Sequence, residues 1–236
     1  MVIELSGKTI AIAVAVLLCI SAFLFWLYRP REQAPSSEML NDYPDYVVLI
    51  QIDEKKLFLM ENGNCVKKYT IATGRPGNPS PIGDWEIISK GGTWGQGFGA
   101  RWMGLNVSWG KYGIHGTSNE GSVGYAASHG CIRMRNKDVK ELYDLINVGT
   151  PVIIRNGSYG PFGTGFKTLL PGDRGADVLA VQKRLKTLGY FNGQQNGIYG
   201  EDTKPALYQF QRDHGLKVEN GITHDDYEAM GFIEFD

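Results

Sequence analysis

The hydrophobic period of this chain changes partway along, so no single kind of secondary structure can account for it. Tyr46–Ile52, Lys56–Met60 and Cys65–Ala72 are short runs of β-branched and aromatic residues, punctuated by Asp53-Glu54 and Asn62-Gly63-Asn64. Such runs with turn residues between them predict a meander of hairpins. Trp85–Ile88, Trp102–Val107 and Tyr112–His115 continue the strand rhythm, and Pro151–Arg155 ends it. One helix interrupts: Asn136 is expected as N-cap, Val139, Leu142, Tyr143 and Ile146 form its apolar stripe, and Gly149 closes it. Beyond residue 168 the period is helical. Val178, Val181, Leu185 and Leu188 make one stripe, ending at Gly189. Ala206, Leu207 and Phe210 make a second, ending at Gly215. A third helix starts at Thr223, with Asp226 placed for a capping box, and ends at Gly231. The expected fold is a β-rich domain, sandwich-like with one main helix, followed by a small all-α three-helix domain.

The N-terminus is different again. Thr9 to Tyr28 are twenty residues without a charge, bounded by Lys8 and Arg29. At a helical rise of about 1.5 Å per residue they span a hydrocarbon core. The exit Trp26-Leu27-Tyr28-Arg29-Pro30 is bulky and offers no small-x-small cleavage site, so an uncleaved signal anchor is expected. Arg29 and Arg31 against Lys8 do not by themselves favour an outward C-terminus. The expected division is therefore a transmembrane anchor at 1–29, a tether at 30–43, the β-rich domain at 44–156, a Gly-rich linker at 157–168 and the helical domain at 169–236.

Charge narrows the function classes. Residues 43–157 carry 13 basic and 10 acidic side chains, and residues 158–236 carry 8 and 11. Neither part offers a basic surface of the kind nucleic acid requires. Three cysteines make no disulfide framework. The chemistry concentrates where glycine does, with 12 glycines between Gly91 and Gly130. There Gly113-Ile114-His115-Gly116-Thr117 is followed by Ser128-His129-Gly130-Cys131-Ile132-Arg133-Met134. If 128–132 is extended, His129 and Cys131 share a face. His115 then pairs with Cys131 as base to thiol, and the N–H groups around Gly130 and Cys131 stabilise an oxyanion. Such a pair predicts a thiol titrating well below ~8.5. Spacing alone leaves two alternatives open. One is an inert thiol; the other is a zinc ion on His115, His129 and Cys131. A Cys65–Cys131 disulfide is a further alternative, His214 and His224 read as helix-end residues, and Trp85, Trp94, Trp102 and Trp109 either line a groove or pack under loops.

Taken together, His115-Gly116-Thr117 and the Ser128–Met134 block resemble the active-site signature of the L,D-transpeptidases, bacterial enzymes that cross-link the cell wall. The likeness extends over about 110 residues, through Thr73-Gly74 and Ser80-Pro81-Ile82-Gly83 to Gly149-Thr150-Pro151-Val152. It implies that Cys131 is the acylated nucleophile and His115 its base, oriented by the Gly116 carbonyl. His129, Ser128 and Gly130 would line the site, and Arg133 would face an anionic part of the substrate. The 12 residues between His115 and Ser128 are short for the family and imply a trimmed flap. In the helical part, Leu170-Pro171-Gly172-Asp173-Arg174-Gly175, Gly197-Ile198-Tyr199-Gly200 and Phe210-Gln211 resemble the common peptidoglycan-binding domain. The implied reaction is acylation of Cys131 by a tetrapeptide stem, release of D-alanine, and transfer to an amine in a 3-3 cross-link, with no cofactor and no metal. Water as acceptor would make an L,D-carboxypeptidase, and a decayed site a non-catalytic peptidoglycan-binding protein. The implied partners are stem peptides and glycan, with both domains outside the cell membrane on a single-pass anchor.

Overall fold

The computed structural model describes residues 46–93, 95, 97–163 and 165–232. The Thr9–Tyr28 span, the 30–43 tether and Trp94 lie outside the described residues, among which no helix is long and apolar enough to cross a membrane.

Ten strands form: β1 (Tyr46–Gln51), β2 (Lys56–Glu61), β3 (Asn64–Thr70), β4 (Thr73–Gly74), β5 (Gly83–Gly91), β6 (Trp102–Leu105), β7 (Tyr112–Gly116), β8 (Ala126–Ser128), β9 (Ile132–Met134) and β10 (Pro151–Arg155). The β2–β3 hairpin turns through Asn62 and Gly63, both at positive φ, as an Asn-Gly turn between twisted strands requires. Eight strands lie in the order β3-β2-β1-β10-β5-β6-β7-β9, and β4 pairs with β8 in a separate ribbon. β5 joins the two halves of the large sheet: Gly83–Glu86 pair with β10, Ile87–Gly91 with β6, and the register shifts between Ile87 and Ser89. Apolar residues from both halves meet in one cluster, with Val48, Ile50, Leu57 and Leu59 from one and Met103, Ile114 and Ile132 from the other. That shared core is what makes a single sheet behave as a sandwich.

Helix α1 (Asn136–Leu145) crosses from β9 to β10 and buries Val139 and Leu142. Its capping differs from the sequence expectation. Arg135 is the N-cap, Ile146 the C-cap, and Gly149 lies beyond the end at φ 94° in the turn before β10. Asn136 stands in the first turn because its side chain is engaged elsewhere, as described below.

The helical part comprises α2 (Ala176–Thr187), α3 (Thr203–Asp213) and α4 (His224–Ala229) around a second core of Val178, Val181, Leu185, Leu207, Phe210 and Tyr227. The expected capping box is present: the Asp226 carboxylate accepts from the Thr223 N–H at 2.7 Å. The Gly-rich 157–168 stretch is anchored to this core, since Phe166 stacks on Tyr227 with ring centroids 4.6 Å apart and Phe162 meets Tyr227 at 5.5 Å.

Two cysteines are described and both are free. Cys65 is exposed on β3, at one edge of the eight-stranded sheet, and Cys131 immediately precedes β9, at the other.

Candidate active site

Cys131 ends a tight turn between β8 and β9. The extended path expected for 128–132 is not taken: Gly130 has φ 109°, so His129 and Cys131 do not alternate along a strand. The Ser128 hydroxyl closes the turn, accepting from the Gly130 N–H at 3.0 Å and donating to the Cys131 carbonyl at 2.6 Å. The Gly130 amide is thereby used and does not contribute to an oxyanion pocket. Only glycine fits here, because a Cβ on Gly130 would lie 2.6 Å from Cε1 of Tyr112. From the other side the Thr73–Ser80 segment braces the turn, with Arg75 N–H donating to the Ser128 carbonyl at 3.0 Å.

His129 is exposed and turns to Arg75, whose Nη2 lies 2.8 Å from its Nε2. A guanidinium only donates, so Nε2 of His129 is the acceptor in this contact. Arg75 was not foreseen; nothing local marks it, since 54 positions separate it from His129.

His115 comes from β7, which runs parallel to β9 in the register Ile114↔Ile132 and His115↔Arg133. The register sets His115 opposite Arg133, and Cys131 lies in the turn immediately before β9. The His115 ring is buried between Trp102, stacked at 5.6 Å, and Phe98 at 5.0 Å. Its Nδ1 donates to the Gly116 carbonyl at 2.5 Å. Of the tryptophans, Trp102 thus supports His115, while Trp85 and Trp109 pack edge to face at 5.2 Å.

The electrostatics correct one sequence expectation. Burial pushes the Cys131 thiol above its ordinary 9.0, although a backbone hydrogen bond from Gly113 and the Arg133 charge pull the other way. Burial also pushes His115 below 6.5, opposed by the Gly116 carbonyl and assisted by Arg133. The resting pair is therefore thiol and neutral imidazole, not a preformed thiolate–imidazolium. Arg133 is half-buried, and its Nε is buried without a hydrogen-bond partner among the described residues. As for zinc, the one His/Cys/Asp/Glu group with convergent ligand atoms among the described residues is the exposed His224, Asp225 and Glu228; His115, His129 and Cys131 do not form one.

Asn136 ties the surroundings together. Its Oδ1 accepts from the Ala100 N–H at 2.9 Å and its Nδ2 donates to the Thr117 carbonyl at 2.9 Å. Asn136→Ala would orphan both backbone groups, at about 1–3 kcal/mol each. We expect a melting temperature lowered by several degrees and faster hydrogen exchange at Ala100; an unchanged Ala100 amide would show that the clamp is idle. Beside the site, a cavity of about 510 Å³ is walled by Trp102, Tyr112, Ser89, Gly104 and Lys111.

A family profile described as the L,D-transpeptidase catalytic domain matches residues 45–154, and a peptidoglycan-binding-domain profile matches residues 174–223. The Bacillus subtilis (strain 168) protein YkuD, named as an L,D-transpeptidase, is 43% identical over 109 residues, 46% of this chain and 65% of that one. YqjB from the same organism, similarly named, is 34% identical over 125 residues, 47% of this chain and 71% of that one. The chain thus spans just under two thirds of the first of these relatives. Among solved structures, an L,D-transpeptidase from Mycobacterium smegmatis gives a TM-score of 0.41 at 23% identity, over 47% of this chain and 58% of that chain.

Proposed function

The chain belongs to the L,D-transpeptidase family, and from that premise we propose that it acylates Cys131 with a peptidoglycan tetrapeptide stem and passes the acyl group to an amine. The observation that carries this reading is the parallel pairing of β7, which holds buried His115, with β9, which half-buried Cys131 immediately precedes, with Gly116 fixing the imidazole. As the Cys131 sulfur attacks the carbonyl of the third stem residue, its proton moves to His115. The Cys131 amide stabilises the oxyanion in this scheme. The tetrahedral centre collapses with loss of D-alanine, whose nitrogen takes the proton from His115, and a thioester remains. The side-chain amine of a second stem attacks the thioester, and the thiol is restored. Energy comes from the exchanged amide, so no cofactor takes part. Arg133, with an unused donor, holds a substrate carboxylate, and the cavity beside Trp102 and Tyr112 receives a stem.

In this reading the helical part binds peptidoglycan and raises the local concentration of stems. The Thr9–Tyr28 span anchors the chain in the membrane with both cores outside, where the substrate is. Incubation with disaccharide-tetrapeptide, followed by mass spectrometry of products and enzyme, tests the proposal. The expected result is loss of D-alanine, a transient acyl adduct on Cys131 and a 3-3 linked dimer. A tripeptide product alone would reassign the protein as an L,D-carboxypeptidase; an unaltered substrate would leave only a wall-binding role.

A further inference from the structure

The helical part does not hang free of the sheet. Helix α2 has a second apolar position, Leu179, outside the stripe that builds its own core, and Leu179 is 9% exposed because it joins the sheet's cluster. Ile198 packs against the same cluster. Between them the Asn196–Ile198 loop meets the loop joining β6 to β7. Ser108 Oγ donates to the Asn196 carbonyl. Gly197, at φ 67°, lies so flat on the Trp109 indole that a Cβ there would come within 2.4 Å of Cε3.

The loop that makes this contact is itself rigid. Gln182 Oε1 accepts from the Gly197 N–H at 2.8 Å, and its Nε2 donates to the Ile198 carbonyl at 2.9 Å and to Thr203 Oγ1 at 3.0 Å. On the other side, the contact leads to the site. Trp109 meets Tyr112 edge to face, with ring centroids 6.5 Å apart. Tyr112 in turn lies against Gly130, next to Cys131. Arg174, from the helical part, lies near enough for its charge to act on the Tyr112 phenol. An unbroken series of contacts thus runs from Gln182 through Gly197, Trp109 and Tyr112 to the turn that holds Cys131.

We propose that the helical part is a working wall of the catalytic groove: docked through Leu179, Gly197 and Asn196, it holds Trp109 and Tyr112 in place, and Cys131 turns over at its full rate only in the docked state. Trp109 and Tyr112 are positioning residues in this scheme. The proposal rests on the reading of Cys131 as the nucleophile, and the experiment separates the two.

In the full chain, Leu179→Glu keeps a good helix former in α2 and leaves that helix's own stripe intact, but puts a charge into the contact. Hydrogen exchange at residues 108–112 and 196–198 reads docking. The kcat and KM for D-alanine release from a soluble tetrapeptide read function. The variant is expected to exchange faster in both loops and to lose about tenfold to a hundredfold in kcat, as a misplacement of about 1 Å at a reacting centre does, with KM moving far less. Leu179→Met should restore both readouts. Ser108→Ala, on an exposed site that threatens neither core, should move both in the same direction by a smaller factor, and decides the matter should Leu179→Glu not fold. Faster exchange with an unchanged kcat would overturn the coupling. Unchanged exchange in both Leu179→Glu and Ser108→Ala would overturn the interface. A wrong nucleophile assignment shows up elsewhere, as turnover surviving in Cys131→Ala, and leaves the exchange result untouched.

Discussion

Cys131→Ala is expected to abolish D-alanine release, by about a thousandfold or more, while leaving the protein folded. The size of the loss follows from the chemistry: without sulfur there is no thioester, and what remains is the contribution of binding and oxyanion stabilisation alone. The fold should tolerate the change. Cys131 is half-buried at the end of a turn whose closure depends on Ser128 and the main chain, and alanine removes one atom from it. The cost in stability should be about 1 kcal/mol, that of giving up the one hydrogen bond the thiol takes from Gly113. Mass spectrometry should find the acyl adduct on the wild-type chain and none on the variant, with matching thermal melts. Cys65→Ala is the internal control, since Cys65 lies exposed at the far edge of the sheet. Turnover by a folded Cys131→Ala protein would remove the covalent mechanism altogether.

What could be seen in advance tracks how far apart the interacting residues are. The Asn62-Gly63 hairpin and the Thr223–Asp226 capping box are local arrangements, so their residue types alone predicted them. His115 and Cys131 could be singled out as candidates because a short motif carries them. The residues that support them could not, because each acts across a long stretch of chain. Arg75 reaches His129 over 54 positions, and Asn136 holds Ala100 over 36. Periodicity assigned Asn136 to a cap, the commonest use of that residue beside a helix, and had no means of knowing that two backbone groups elsewhere needed its amide. Gly130 was read as an oxyanion donor lining the site; in the fold its amide bonds Ser128, and its missing Cβ lets Tyr112 lie against the turn.

The same limit explains the thiol. Residue types suggested a Cys–His pair and hence a depressed thiol, yet the direction of a shift is set by burial as much as by partners. Here Trp102 and Phe98 enclose His115, and burial favours the neutral form of His115 and of Cys131 alike. A neutral resting pair is also less exposed to adventitious oxidants than a thiolate would be, since the thiolate is the reactive form.

That arrangement makes the pH dependence the sharpest test of His115. In the proposed mechanism the competent state has a neutral imidazole facing an un-ionised thiol, so activity is expected to be lost when acid protonates the imidazole. Because burial holds His115 below 6.5, kcat/KM for D-alanine release should stay level through neutrality and down past 6.5. Below that point it should fall by about tenfold per pH unit. His115→Gln, which keeps a polar side chain between Trp102 and Phe98, should lower the neutral rate by about a hundredfold to ten-thousandfold, the usual contribution of a general base. It should also abolish the acid limb, leaving a residual rate that climbs with pH as the thiol ionises unaided. Alkylation of wild-type Cys131 should likewise accelerate only at and above the ordinary thiol value of 9.0. An alkylation midpoint well below that value would mean a preformed ion pair, with the proton already on His115 before substrate arrives. An acid limb that survives His115→Gln with the same midpoint would assign the base to another residue.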